Sequence, residues 1–146
     1  MLGACAISVA IGGSLIAANL DAPNTADQQF TAHAMHALLQ NVSNADAAQT
    51  SGDAATKALA GTLQTDQVAI GSQLASLASY YGINVSTDAP KASTGASGFA
   101  ADQKASLTHL IALFEAEQQN VGGASQLRSF AAQSLPTLQK DLEAVK

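Results

Sequence analysis

The chain has 146 residues, a net charge of −5 and one cysteine, Cys5. That length fits one domain with one core, the acidic balance leaves few cations to neutralise phosphates and so excludes a nucleic-acid partner, and a single cysteine excludes an intrachain disulfide. Only 12% of residues are charged and 47% are apolar, against a usual charged share of ~25%. The 32 alanines, with many Leu and Gln, bias the backbone to helix, because these side chains lose little rotamer freedom there.

Residues 1–18 are expected to be a signal peptide or a membrane or lipoprotein anchor. Leu2 to Leu20 carries no charge. Two readings of this segment compete. Ala18 followed by Asn19 is a passable cleavage point, although no Lys or Arg precedes the apolar run. Leu2-Gly3-Ala4-Cys5 has the form of a lipobox, in which Cys5 would be lipidated and serve as the tether. A retained span is a third option, since about 19 uncharged residues approach the ~20 needed. Gly12-Gly13 lacks the following Lys of a phosphate loop.

Residues 19–25 read as a linker, with Pro23 turning Ala22 away from helix. A four-helix domain is expected over residues 26–146. Thr25, with Gln28 three residues on, is the expected cap of a first helix over residues 26–48. Phe30, Ala34, Ala37, Asn41, Ala45 and Ala48 form its core stripe at spacings of four and three. Ser51-Gly52-Asp53 interrupts the pattern, and Asp53 can cap a second helix over residues 54–81. Its stripe is Leu59, Leu63, Gln67, Ile70, Leu74, Leu77 and Tyr81, and Gly82 stops it. Tyr80-Tyr81 are expected to close that helix end by packing. Residues 82–97 form a polar loop, in which Asn84-Val85-Ser86 matches a glycosylation acceptor by chance.

A third helix is expected over residues 98–120, with Phe99, Gln103, Leu107, Leu110, Phe114 and Glu117 inward and His109 outward. Gly122-Gly123 ends it. Ser125 can cap a fourth helix reaching Val145, with Leu127, Phe130, Ala131, Leu135, Leu138, Leu142 and Val145 inward. Pro136 falls inside it, where it removes an N–H and crowds the preceding turn. Short first and last connections make those helix pairs antiparallel neighbours. The expected fold is all-α, an antiparallel up-down-up-down four-helix bundle preceded by an apolar N-terminal segment.

Bundles of this kind build cofactor sites from inward side chains on facing helices. Counting along each stripe places Asn41, Gln67, Leu107 and Asp141 in the middle layer. Amides are weak metal ligands and leucine is none. No Glu-x-x-His pair occurs, and Glu115, Glu117 and Glu143 all lie on the last two helices. Asn41 and Gln67 are expected to hydrogen-bond each other or a buried water, fixing register. His33 and His36, three apart, could share a surface metal, but two ligands bind weakly. No Ser-His-Asp set is recognisable.

The run Leu110 to Glu117, then Leu127 to Leu138 with its Ser134-Leu135-Pro136-Thr137-Leu138, resembles the DUF4142 family. Phe30, Leu59-Ala60, Asp66, Leu74 and Leu77-Ala78 fit the same pattern, and the resemblance covers residues 27 to 145. It implies an exported, bacterial, ferritin-like bundle of unknown function. The resemblance also implies a His after Asp66, a His at position 107, a His at position 141 and a Glu at position 41. This chain has Gln67, Leu107, Asp141 and Asn41 there, so a divergent member is expected. The functional expectation is a non-enzymatic periplasmic or outer-membrane-associated protein without cofactor, with an interaction or envelope-stress role. It could be tethered to the membrane by its N-terminal segment, and a homo-oligomer or a protein partner is open. The alternative is a metal-binding ferritin-like protein using His33 and His36 or a remnant core site.

Overall fold

The computed structural model describes residues 21–146. The expectations for residues 1–18, Cys5 and the Ala18-Asn19 junction included, fall outside the described residues. Four helices follow: α1 (Thr25–Ser51), α2 (Ala54–Tyr81), α3 (Phe99–Gln118) and α4 (Ser125–Ala144). Among the described residues no helix is long and apolar enough to cross a membrane.

The helix ends follow local chemistry. α1 is capped one residue earlier than expected. Asn24, in extended backbone, accepts from the Asp27 N–H, and Asp27 accepts in return from the Asn24 N–H. Asn and Asp form this reciprocal box as well as Thr and Gln would, and each satisfies a donor that the first turn leaves free. Asp53 accepts from the Thr56 N–H at 2.8 Å, as anticipated. Gly82 takes the left-handed conformation (φ 66°), which lets the Ile83 N–H return to the Ala78 carbonyl at 2.8 Å. Ala124, not Ser125, is the N-cap of α4, and that helix continues past Pro136.

The all-α bundle holds, but the order of helix directions differs from strict alternation. The end of α3 meets the start of α1, where Asn24 Nδ2 donates to Asn120 Oδ1 at 3.1 Å. The start of α4 meets the segment before α1, where the Ser125 N–H donates to Asp21 at 2.8 Å. The order is therefore up, down, down, up. α1 packs beside α2 and α3, and α4 beside α3 and α2. Residues 82–98 cause the difference, because they are a crossover rather than a turn. At ~3.3 Å per residue they easily span the ~30 Å of a 20-residue helix. The segment is pinned halfway along α1, where the Ser93 N–H donates to Asn44 Oδ1 at 2.8 Å and Gln40 Nε2 donates to the Lys91 carbonyl at 3.1 Å. One long crossover between two antiparallel pairs is the connectivity of ferritin-like bundles.

Every expected core position of α3 is buried. On α1, Met35 and Leu38 are buried as well, while Ala37 is half-buried. The aromatic part of the core lies toward the end where α1 begins. There Phe114 meets Phe30 edge-on at 5.0 Å and Phe130 at 5.5 Å between ring centroids. Alanines 45, 48 and 60 fill the opposite half of the α1–α2 pair.

Candidate functional site

Two buried polar layers interrupt this core. The first is the central layer, and it differs from the sequence expectation at one corner. α3 contributes Gln103 rather than Leu107. Gln67 Nε2 donates to Gln103 Oε1 at 3.1 Å, and Gln103 Nε2 donates to the Asn41 carbonyl at 3.3 Å. α3 is only 20 residues against 27 for α1. Its start, not its middle, therefore reaches the level of Asn41, and Leu107 packs one turn further on, fully buried. Asn41 and Gln67 do not bond each other, because Gln103 stands between them. Their Nδ2 and Oε1 atoms are buried without partners.

Asp141 completes the layer from α4, with 1% of its surface exposed. Its pKa is pushed up to about 7, first by burial and then by Asp66, with Lys140 acting the other way. Lys140 reaches Asp66 at 3.4 Å on the rim. Asp141 Oδ2 has no partner. A groove of about 260 Å³ lined by Asp66, Ile70, Ser134 and Thr137 runs over this region between α2 and α4.

The second layer is at the base of the bundle, where α1 begins. Asp27 is fully buried. Its Oδ2 accepts the N–H groups of Asn24 and Ala124, and its Oδ1 accepts Asn120 Nδ2 at 2.9 Å. One carboxylate thus caps α1 and holds the starting end of α4. Gly123 is required beside it, because a Cβ there would collide with Asp27 and with the Asn120 amide. Glu117 lies against this group. Its pKa is pushed up to about 8, first by burial, then by its hydrogen bond to Asp27 and the Asp27 charge, while Asn120 and Arg128 pull the other way. Burial and the neighbouring Asp27 thus favour the protonated form of Glu117, whose Oε1 is buried without a partner. Asp21 closes the layer outward, accepting from the Ser125 N–H and hydroxyl and from the Tyr81 hydroxyl at 3.2 Å. The Ser125 bonds, and to a lesser degree Tyr81, hold the Asp21 pKa below its ordinary value. Tyr81 does close the end of α2, while Tyr80 stacks edge-on against it and stays exposed.

The sequence reading placed Glu117 inward but missed Asp27. The local signal for Asp27 is the Asn24-x-x-Asp27 spacing, one residue ahead of Thr25. His33 and His36 are both exposed, as is His109. His33 lines a shallow groove of about 280 Å³ with Phe30, Leu113, Glu117 and Asn120, and His36 does not. Among the described residues no group of three or more His, Cys, Asp or Glu could hold a metal ion. The central donors are mainly amides, and the raised pKa of Asp141, about 7, opposes the ionised form that a metal ligand needs.

The fold and its two layers define a four-helix bundle with one crossover and a polar, amide-dominated centre. The chain belongs to the DUF4142 family, whose model, described as a domain of unknown function, matches residues 14–146. No curated protein and no solved structure matches it.

Proposed function

We propose that this chain is an exported bundle, held at the cell envelope through its N-terminal segment, that works through its surface rather than by catalysis. The central layer carries this reading. Where a four-helix bundle gathers inward carboxylates and imidazoles to do chemistry, this chain has Gln67 bonded to Gln103 and Gln103 to the Asn41 main-chain carbonyl, beside one carboxyl, Asp141, whose pKa is raised to about 7. Such a layer supports register and unique packing. An interaction or envelope-stress role fits a bundle whose described residues gather no convergent catalytic set.

Two measurements test it. In mass spectrometry of the mature protein from its native cell, added mass on Cys5 supports a lipid tether, whereas a start at Asn19 keeps export and overturns the tether. Met1 retained on protein in the cytosolic fraction would overturn the export reading. Metal analysis of untagged protein is expected to find no stoichiometric iron, zinc or copper.

A metal-binding role is the second reading. It is favoured by the unpartnered Oδ2 of Asp141 beside Asp66. A tightly held metal that is lost in Asp141→Asn would establish it, and loss in His33→Ala would move it to the α1 surface.

A further inference from the structure

We propose that the groove between α1 and α2, beside the crossover, binds a small uncharged molecule made of one apolar ring and a single hydrogen-bond donor. The proposal goes beyond the surface role above and does not depend on the N-terminal segment.

The groove has a volume of about 190 Å³. Met35, Leu38 and Val42 line it from α1, Val68 and Ala75 line it from α2, and Thr87 contributes from the crossover. None of its lining residues is charged, so a charged ligand would lose its water without gaining a partner. Met35 and Leu38 are buried, whereas Val68 is 46% exposed. The groove therefore opens from the core toward solvent, and a ligand can enter while the bundle stays folded.

Two features of α2 make this more than a gap between helices. Gln67 is 1% exposed and lines the groove. Its Nε2 is spent on Gln103, and its Oε1 is buried with no partner. A buried acceptor left without a donor costs free energy, and a ligand N–H or O–H would recover it. Gly71 follows four residues later on the same face and also lines the groove. It sits in the interior of α2, where glycine is less favourable than alanine. Beyond its own stretch of helix, no atom lies within 4 Å of the place a Cβ would take. Close helix packing therefore does not call for this glycine, and its effect is to leave the groove open.

Size and chemistry choose the occupant. A cavity of ~150 Å³ holds benzene, so about 190 Å³ takes one substituted ring. It does not take the row of side chains that a docked helix inserts. The apolar walls cover the ring, and Gln67 Oε1 accepts its donor.

The test uses the full chain labelled with carbon-13 at the methionine methyls, with phenol as the probe. The chain has two methionines, Met1 and Met35, and the signal lost in Met35→Leu is that of the groove. Phenol is expected to shift this signal saturably, with a Kd on the order of 0.1–1 mM. Anisole, the same ring with its donor blocked by a methyl group, is expected to bind about fivefold more weakly. Gly71→Ala is expected to weaken phenol binding several-fold while raising the melting temperature, because its methyl enters the open space and favours helix. Gly71→Leu, which fills more of the groove, is expected to abolish the shift in a chain that circular dichroism shows to be folded. No saturable shift, or equal binding of phenol and anisole, overturns the proposal. So does undiminished binding by folded Gly71→Leu or by Gly71→Ala, which places the ring elsewhere. A shift of the Met35 signal on raising protein concentration alone assigns the groove to a second copy and likewise overturns it.

Discussion

The two polar layers are built from similar residues and solve burial in opposite ways. At the base, one carboxylate accepts three N–H groups, so the group joins α1, α3 and α4 at their ends. In the centre, Gln67, Gln103 and the Asn41 main-chain carbonyl form a chain that leaves Asn41 Nδ2, Gln67 Oε1 and Asp141 Oδ2 unpaired, where the base leaves Glu117 Oε1 and Arg128 Nε. Helix ends supply free backbone donors that a buried acid can satisfy. The middle of a helix has no free N–H, so a polar residue there depends on neighbouring side chains and on main-chain carbonyls that accept a second bond, as that of Asn41 does. The base should therefore contribute to stability, while the centre should cost some of it.

The largest expected effect follows from removing the base clasp. Asp27→Ala strips the acceptor from the Asn24 and Ala124 N–H groups and from the Asn120 amide. A loss of about 3 kcal/mol is expected, from buried donors left unpaired and a lost cap. Denaturant unfolding followed by circular dichroism measures it. A loss below about 1 kcal/mol would put this network among ordinary surface caps and remove the contrast.

Next comes pH. Glu117 and Asp141 both have pKa values raised in the folded state, to about 8 and about 7. Between the ordinary carboxyl pKa and these values the unfolded chain releases protons that the folded chain keeps. Their contribution is fully present below pH ~4 and declines as pH rises through about 7 for Asp141 and about 8 for Glu117. Glu117→Gln keeps a donor toward Asp27 without a titrating proton. It is expected to raise the melting temperature at pH 9 relative to the parent, and to match it at pH 4.5. Parallel pH profiles for the two proteins would mean that Glu117 does not hold its proton.

The centre should respond non-additively. Gln103→Leu alone strands Gln67 Nε2 and is expected to cost about 1–2 kcal/mol. Adding Gln67→Leu removes the stranded donor, so the double variant should recover most of that loss or exceed the parent. Additive losses would show instead that the amide chain is a net support, and the two layers would then be alike.

How much of this was legible in the sequence depends on what fixes each feature. The helices could be read because apolar spacing and breakers are local. α2 begins and ends where Asp53 and Gly82 placed it, and Phe99, Gln103, Leu107, Leu110, Phe114 and Glu117 are all inward. The direction of α3 was not legible, since residues 82–98 read as a loop whose path depends on Ser93 meeting Asn44, a contact between distant parts of the chain. That path also decides the register of α3, which is why Gln103 replaced Leu107 in the central layer. Asp27 escaped for a similar reason: its partners Asn120 and Ala124 are 93 and 97 residues away along the chain, and only the Asn24 spacing was local.

The smallest effect tests where the base layer ends. Tyr81 donates to Asp21 at 3.2 Å from a half-buried ring, and Asp21 is also held by Ser125. Tyr81→Phe keeps the packing and removes one bond of three, so a loss of about 0.5 kcal/mol is expected. The Tyr81 hydroxyl has its pKa raised by burial and by Asp21. Spectroscopic titration should therefore show one tyrosine ionising later than the other, with the later one lost in Tyr81→Phe. A loss as large as that of Asp27→Ala would move the structural centre of the base outward to Asp21. No measurable loss, together with two tyrosines titrating alike, would mean that Asp21 is held by Ser125 alone and that the clasp ends at the α4 cap.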